Sequence, residues 1–131
     1  MSQKDNQVYV EHMIDTANKA LSFVEGVSRE DFDNNELLRL SLTHLLQIIG
    51  EAAHRVSPDF RENYPTIPWQ AVVGMRSKVV HDYLNVDEDI VWNTVKNDLP
   101  FLVKEILLFS LLIREVSRLF SKILICLLKD G

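Results

Sequence analysis

The residues best suited to chemistry lie in one short stretch of the chain, residues 75–83. Arg76 carries a guanidinium that keeps its proton and presents a planar fork of donors to a phosphate or a carboxylate. His81, five residues later, has the side chain that most readily gives and takes a proton near neutral pH. Anion binding and proton transfer are therefore the chemistry that this stretch could supply.

The pattern around Arg76 is helical and predicts an unusual position for a charged side chain. With 100° of rotation per residue, six apolar or aromatic residues fall within about 60° of Arg76. They are Trp69, Val72, Val73, Val79, Val80 and Tyr83. Arg76 is thus expected in the middle of an apolar stripe, where a guanidinium is costly to bury unless a carboxylate, a phosphate or a wet interface meets it.

Arg76 and His81 do not point in the same direction on a regular helix, because five residues correspond to about 140° of rotation. Three arrangements could still bring them together. The helix could end before His81, the long arginine could reach round, or a second protomer could supply its own pair across a two-fold axis. The third arrangement suits a buried arginine best.

Each of these residues also has a purely structural interpretation. Arg76 could form an ion pair with a buried Asp or Glu. His81 could be a solvated or capping residue near a helix end, and Tyr83 a core tyrosine with its hydroxyl outward. Lys78 and Asp82 lie toward the polar face and would then be solvent groups.

Composition restricts the class of protein. The 131 residues are enough for a single domain and one core, with 47% hydrophobic and 25% charged residues. A formal charge of −5 argues against a broad basic surface for nucleic acid, so any such contact should be local. The single Cys126 and the lack of a basic-then-apolar start predict a cytoplasmic protein.

Apolar periodicity predicts an all-α, up-and-down bundle of four to five helices over residues 1–131. Residues 8–25 form a first helix ended by Gly26, and a polar connection over residues 28–35 leads to a second helix at residues 37–56. Extra Leu and Ile beside the main stripe of that second helix predict burial on more than one side. Residues 59–68, with two X-Pro pairs, are expected to be a fixed loop.

The third and fourth helices follow this loop. Pro68 can serve as a first-turn residue for a helix that runs to Asp82 or Tyr83. Acidic residues from Asp87 onward favour the N-terminus of the next helix through its macrodipole. Pro100 is expected to kink that long C-terminal helix near Lys96 rather than stop it, since the apolar pattern resumes without a turn signal.

The end of this C-terminal helix has a wide apolar face and a narrow polar stripe. Core packing and a contact with a second copy or a partner both remain open as explanations. The stripe consists of Ser110, Arg114, Ser117, Arg118, Ser121 and Lys122. Charged residues keep every uncharged run well below the ~18 residues of a membrane span, so no membrane contact is expected.

No convincing metal or cofactor signature is present in the sequence. Four residues along one side of the second helix could be imagined as ligands, namely His44, Gln47, Glu51 and His54. No His-x-x-x-His or paired Cys spacing supports them, and there is no phosphate loop or nucleophile elbow. Neither a metal nor a cofactor is therefore predicted.

The arginine stretch resembles a known motif. Arg76-x4-His81-x-Tyr83 is similar to the Arg-x4-His-x-Tyr motif of HEPN domains, in particular of HepT-type toxins. An ordered series of further blocks extends the resemblance over residues 8–108 and leaves 109–131 as an additional helical tail. These blocks are Ile49-Gly50-Glu51-Ala52-Ala53, Ile67-Pro68-Trp69, Val73-Gly74-Met75, Val86-Asp87, Val91-Trp92 and Asp98-Leu99-Pro100.

The resemblance implies a helical homodimer in which two motifs face each other across a cleft. It implies a metal-independent ribonuclease that acts on tRNA or mRNA, with Arg76 on the scissile phosphate and His81 as general acid or base. Tyr83 would be the residue to which a small nucleotidyltransferase antitoxin adds AMP. Ser77, Lys78 and Asp82, within the same stretch, are assigned supporting positions.

Two functional hypotheses from different classes follow. The first is the ribonuclease toxin of a HEPN/MNT toxin–antitoxin pair, which could form a larger hetero-oligomer with its antitoxin. The second is a non-catalytic helical subunit that presents a nucleotide or substrate to a nucleotidyltransferase. RNA cleavage in the presence of a chelator distinguishes the two hypotheses.

Overall fold

The computed structural model describes residues 3–79 and 85–129, and it is all-α, as predicted. Three long helices precede the C-terminal one in the order α1, α3 and α5, and two short helices lie between them. Their bounds are α1 Gln3–Phe23, α2 Arg29–Asp33, α3 Glu36–Arg55, α4 Pro58–Arg61 and α5 Trp69–Lys78. The chain continues as α6 Glu88–Asn93, a π-helical turn Thr94–Asp98 and α7 Leu99–Lys129.

Helix α3 is the centre of the bundle. It packs against α1 on one side and α5 on another, and it also contacts α2 and α6. Its buried residues cover more than one side, as predicted. Leu42, Leu46, Ile49 and Ala53 form one stripe, and the residues beside it are buried as well, namely Leu45 and Ala52 on one flank and Thr43 and Gly50 on the other. The prediction for this helix was correct to within one residue at each end.

Two segments predicted as connections contain short helices. Ser28 caps α2 through a capping box with Asp31, and Phe32 is fully buried with its ring centroid 5.0 Å from that of Trp92. Pro58 opens α4 behind the N-cap Ser57. Polar composition predicted a connection at residues 28–35, and two X-Pro pairs predicted a loop at residues 59–68. Local capping forms a short helix in each segment, and the burial of one aromatic ring also stabilises α2.

Pro100 distorts the C-terminal helix as predicted without ending it. The backbone N–H of Leu99 donates to the carbonyl of Thr94, five residues earlier, which makes residues 94–98 a π-helical turn. Lys96, where the kink was expected, lies inside this turn. The helix then continues through Lys129.

Helix α5 ends earlier than predicted. Its last residue is Lys78 and Val79 is its C-cap, whereas periodicity predicted a helix to Asp82 or Tyr83. The backbone N–H of Asp87 donates to the carbonyl of Val79 at 3.0 Å, which joins the two described ends of the segment between them. His81, Asp82 and Tyr83 lie outside the described residues.

Over the described ranges, no helix is both long enough and apolar enough to cross a membrane.

Candidate active site

Arg76 lies where α3 and α5 cross most closely. A Cβ atom added to Gly50 in α3 would lie 2.6 Å from the backbone nitrogen of Arg76 and 3.2 Å from the carbonyl oxygen of Val72. Only glycine allows the two helices to approach this closely. The backbone of Arg76 is therefore fixed against α3, whereas its side chain leaves the crossing.

The guanidinium of Arg76 is exposed and paired, not buried. Its side chain is 40% exposed, and Nη1 donates to Oε2 of Glu51 at 3.3 Å. Val72 and Val79 on either side of it are buried, and Trp69 and Val73 are half-buried. The sequence placed Arg76 on an apolar stripe where a carboxylate, a phosphate or a wet interface had to meet it, and the carboxylate of Glu51 does so. This pair is exposed and not buried, because the close crossing at Gly50 places the arginine backbone in the apolar interface while the long side chain runs along the edge to solvent.

Glu51 links two arginines in a surface row. Its Oε1 accepts from Nε of Arg55 at 3.4 Å while Oε2 accepts from Arg76. The hydrogen bond from Arg76 is the largest cause that lowers the pKa of Glu51, with partial desolvation acting against it and Arg55 adding to it. The pKa of Arg55 is raised, first by Tyr9 of α1 and then by Glu51. Glu51 is therefore an ionised partner of Arg76 at the protein surface, joined to it by one hydrogen bond.

Two depressions flank α5. The first, of about 450 Å³, lies between the ends of α3 and α5 and is lined by residues that include His54, Arg55, Gln70 and Val73. Arg55, one of its lining residues, pairs with Glu51, but neither Glu51 nor Arg76 lines this depression. The second is an apolar groove of about 400 Å³ between α5 and α7, lined in part by Lys78 and Asp98. Arg76 is not among the residues that line the second groove.

The family model of HepT-like ribonucleases matches residues 13–107. This chain belongs to the HepT-like ribonuclease family. The match begins within α1, includes the Gly50 crossing and Arg76, and ends shortly after Ile106, the last fully buried residue of α7. Most of α7 therefore lies beyond the HepT-like region.

Several curated proteins are similar over most of their length. MJ1380 of Methanocaldococcus jannaschii, whose name marks it as a candidate RNase, is 34% identical over 81% of this chain and 97% of its own. A Thermococcus cleftensis protein named "Probable ribonuclease HepT" is 32% identical over 76% of this chain and 91% of its own. TTE0752 of Caldanaerobacter subterraneus, also named as a candidate RNase, is 34% identical over 79% of this chain and 92% of its own. No solved structure matches the chain.

The structure describes three of the six residues predicted for the site. Arg76, Ser77 and Lys78 occupy the last turn of α5 and all three are exposed. Ser77 Oγ donates to the carbonyl of Gly74 at 3.4 Å, and Lys78 lies toward the other side of α5. The predictions for His81, Asp82 and Tyr83 fall on residues outside the described ranges.

Sequence reasoning missed the two residues that position Arg76. Glu51 was considered only as a weak metal ligand, and within the described residues no group of three metal-ligating side chains occurs. Gly50 was one letter of a resembling block. The signal that could have identified both is the pair Gly50-Glu51 itself, since a buried helical glycine indicates a close approach and the next residue then lies at the edge of the crossing.

Proposed function

We propose that this chain is a metal-independent endoribonuclease toxin that acts on tRNA or mRNA as a homodimer, with Arg76 and His81 as its catalytic residues. The observation that carries the proposal is the exposed guanidinium of Arg76, whose backbone is fixed at the Gly50 crossing and whose fork is oriented by Glu51. Membership of the HepT-like ribonuclease family supports the same activity.

RNA carries its own nucleophile, and this explains how so few residues could suffice. The ribose 2′-oxygen attacks the adjacent phosphorus, the 5′-oxygen leaves, and the product ends are a 2′,3′-cyclic phosphate and a 5′-hydroxyl. His81 takes the proton from the 2′-hydroxyl or gives one to the leaving oxygen. Arg76 binds the phosphate by two parallel hydrogen bonds and stabilises the charge that develops on it.

A homodimer could complete the site. Helix α5 ends at Lys78, before His81, so the divergence of about 140° between residues five apart on one helix does not separate Arg76 from His81. Two copies related by a two-fold axis would bring Arg76 of one chain to His81 of the other. Two copies of Arg76 in one cleft would also hold RNA locally despite the formal charge of −5. Ser77, Lys78 and Asp82 would line the same cleft as supporting residues.

Control by a nucleotidyltransferase antitoxin would act on Tyr83. Transfer of AMP to the tyrosine hydroxyl releases pyrophosphate from ATP and leaves an anionic nucleotide seven residues from Arg76. This group would compete with substrate phosphate for the guanidinium by charge and by volume. We expect the modified chain to lose RNA binding while it stays folded.

Cleavage of total tRNA in the presence of EDTA tests the activity. We expect fragments with 2′,3′-cyclic phosphate ends, and we expect Arg76→Ala to lower the rate by at least about 10²-fold, as removal of a charge-stabilising group does. Arg55→Ala is the matched control, because Arg55 is also exposed and also pairs with Glu51. We expect Arg55→Ala to cleave within about 10-fold of the wild type.

Equal loss in the two arginine variants would contradict the role of Arg76. Intact RNA after incubation with a folded wild-type chain would instead favour the non-catalytic subunit of a nucleotidyltransferase. Thermal unfolding of each variant shows that any loss is not a loss of fold.

Mixing two inactive variants tests whether the site is shared between chains. If Arg76 of one chain acts with His81 of the other, Arg76→Ala and His81→Ala chains together rebuild one site in every mixed dimer. Random pairing then restores about a quarter of the wild-type activity. If both residues act within one chain, mixing restores nothing, and the shared site is excluded while the ribonuclease activity stands.

A further inference from the structure

Helix α7 has two halves with opposite environments. Leu99, Leu102 and Ile106 are buried against the described part of residues 3–98, which we call the body. The ring centroid of Phe109 lies 4.7 Å from that of Tyr64. From residue 111 to residue 129 every side chain is exposed. We refer to residues 107–129 as the tail. Most of the tail lies outside the packed core of the described part of the chain.

The exposed part of the tail is apolar around most of its surface, and its largest continuous apolar arc lies on one side. Nine large hydrophobic side chains there are between 44% and 67% exposed and fall within an arc of about 160°. They are Leu108, Leu112, Ile113, Val116, Leu119, Phe120, Ile123, Leu124 and Leu127. At roughly 100 Å² each they present about 900 Å², more than the ~300–600 Å² of the largest patch on a typical monomer and close to the ~800 Å² that each partner buries in a stable complex. Outside this arc, Leu107, Leu111, Ile125 and Leu128 are exposed as well.

The apolar residues follow the spacing of a coiled coil along the whole of α7. Alternating steps of three and four residues connect Leu99, Leu102, Ile106 and Phe109, which contact the body of this chain. The same alternation continues through Ile113, Val116, Phe120, Ile123 and Leu127, which are all exposed. A repeat of this kind indicates left-handed packing of one helix against another.

We propose that the tail pairs antiparallel with the tail of a second copy of this chain, in an interface separate from the α5 edge that carries Arg76. The body decides the direction. It occupies the space in front of the heptad stripe along the first half of α7, so a parallel partner helix would run into it. An antiparallel partner lies only along the exposed half and carries its own body at the far end.

The antiparallel register is specified by the sequence of the stripe. With the two-fold axis beside residue 118, Ile113 faces Ile123 of the second copy and Val116 faces Phe120. Each of these layers pairs two apolar residues. One of the two lies at the end of a three-residue step of the stripe and the other at the beginning of such a step, as antiparallel helices require. The apolar stripe therefore matches a second copy of itself that runs in the opposite direction.

The polar residues of the tail support the same arrangement. Arg114, Arg118 and Lys122 lie opposite the apolar arc, so like charges do not meet across the interface. Leu112 and Leu119 flank the stripe on one side and widen the apolar contact, with Leu119 nearest its own copy at the axis. These outward cations would also suit an anionic membrane, but residues 1–106 hold 10 Lys and Arg against 17 Asp and Glu, a formal charge of −7 that such a surface would repel.

A matched pair of isoleucines tests the interface. Ile123 is 57% exposed and lies on the stripe, and Ile125 is 53% exposed and lies on the opposite side of the same helix turn. We expect Ile123→Glu to halve the molar mass of the full chain at micromolar concentration, as measured by sedimentation equilibrium. Ile125→Glu should leave the mass unchanged. Far-ultraviolet circular dichroism of both variants should show the helix content of the wild type.

A distance measurement tests the direction of pairing. Spin labels on Lys129→Cys in a Cys126→Ser background lie eleven residues from the axis in each copy, about 33 Å apart along the helices in the antiparallel pair. In a parallel pair they would be separated by little more than the helix spacing of ~8–10 Å.

Four results would overturn the inference: a monomeric wild type at 100 μM, an unchanged mass for Ile123→Glu, the short label distance, or binding of the chain as a monomer to vesicles of anionic lipid. Ribonuclease activity is expected to survive Ile123→Glu, because the Arg76 edge is untouched. Failure of this inference is thus distinguishable from failure of the proposed function.

Discussion

Replacing Gly50 by alanine should separate the α3–α5 crossing and move Arg76 out of position. The added Cβ would lie 2.6 Å from the backbone nitrogen of Arg76, and ordinary contact begins at 3.4 Å, so the helices must part by about 0.8 Å. Because the nearest obstacle is backbone, no side-chain rotation can relieve the clash. Overpacking of this kind costs about 1–3 kcal/mol.

Gly74→Ala in α5 is the matched control. A Cβ at Gly74 meets nothing within 4 Å, so this variant reports only the gain of about 1 kcal/mol from replacing a helical glycine. Both variants share that gain, so the difference between their free energies of unfolding reports the effect of the added Cβ at the α3–α5 crossing. We expect Gly50→Ala to unfold at a melting temperature lower than that of Gly74→Ala by about 4 °C for each kcal/mol.

RNA cleavage provides the second measurement, at a temperature where both variants are fully folded. A displacement of about 1 Å at a reacting group can cost 10²-fold in rate. Gly50→Ala should therefore lose activity that Gly74→Ala retains. If Gly50→Ala proves as stable as Gly74→Ala, the close crossing does not constrain the chain and the argument that fixes Arg76 is refuted.

Two further predictions concern ion pairing and a buried amide. Arg76 and, to a lesser degree, Arg55 lower the pKa of Glu51 below its ordinary value of 4.5. The ionised carboxylate therefore stabilises the fold at any pH above 4.5, and this contribution to the free energy of unfolding is lost as the pH falls through the lowered pKa. Glu51→Gln should therefore have a lower melting temperature than the wild type at pH 7, and thermal scans should show the two converging in acid; a constant gap would refute the assignment. Asn6, 2% exposed, accepts from the backbone N–H of Ser57 at 2.9 Å and donates to its hydroxyl at 3.0 Å. Asn6→Ala should cost about 1–3 kcal/mol in urea unfolding because Ser57 is left without these partners, and Asn6→Asp, which can still accept, should recover part of it.

Periodicity predicted the existence of the long helices, but it gave accurate bounds only for α3 and did not reveal the short helices. Helix α1 spans Gln3–Phe23 and not residues 8–25, and α5 ends at Lys78 and not at Asp82 or Tyr83. The stripe of α3 repeats often enough that its ends were predicted to within one residue, and Pro100 identified the distortion of the C-terminal helix. Helices α2 and α4 have only five and four residues, which is too short for a periodic signal, so their capping groups alone could have indicated them.

The sequence by itself determined the fold class, the arginine motif and the family resemblance, because these depend on residue types and on spacing along one chain. Only the tertiary structure decided that Arg76 is exposed and paired with Glu51. A helical wheel gives the direction in which a residue points, but it cannot show that Gly50 lets two backbones meet there. For the tail, the sequence left core packing and a partner contact equally open. Only the tertiary structure shows that the first half of α7 is covered by the body and that the second half is exposed.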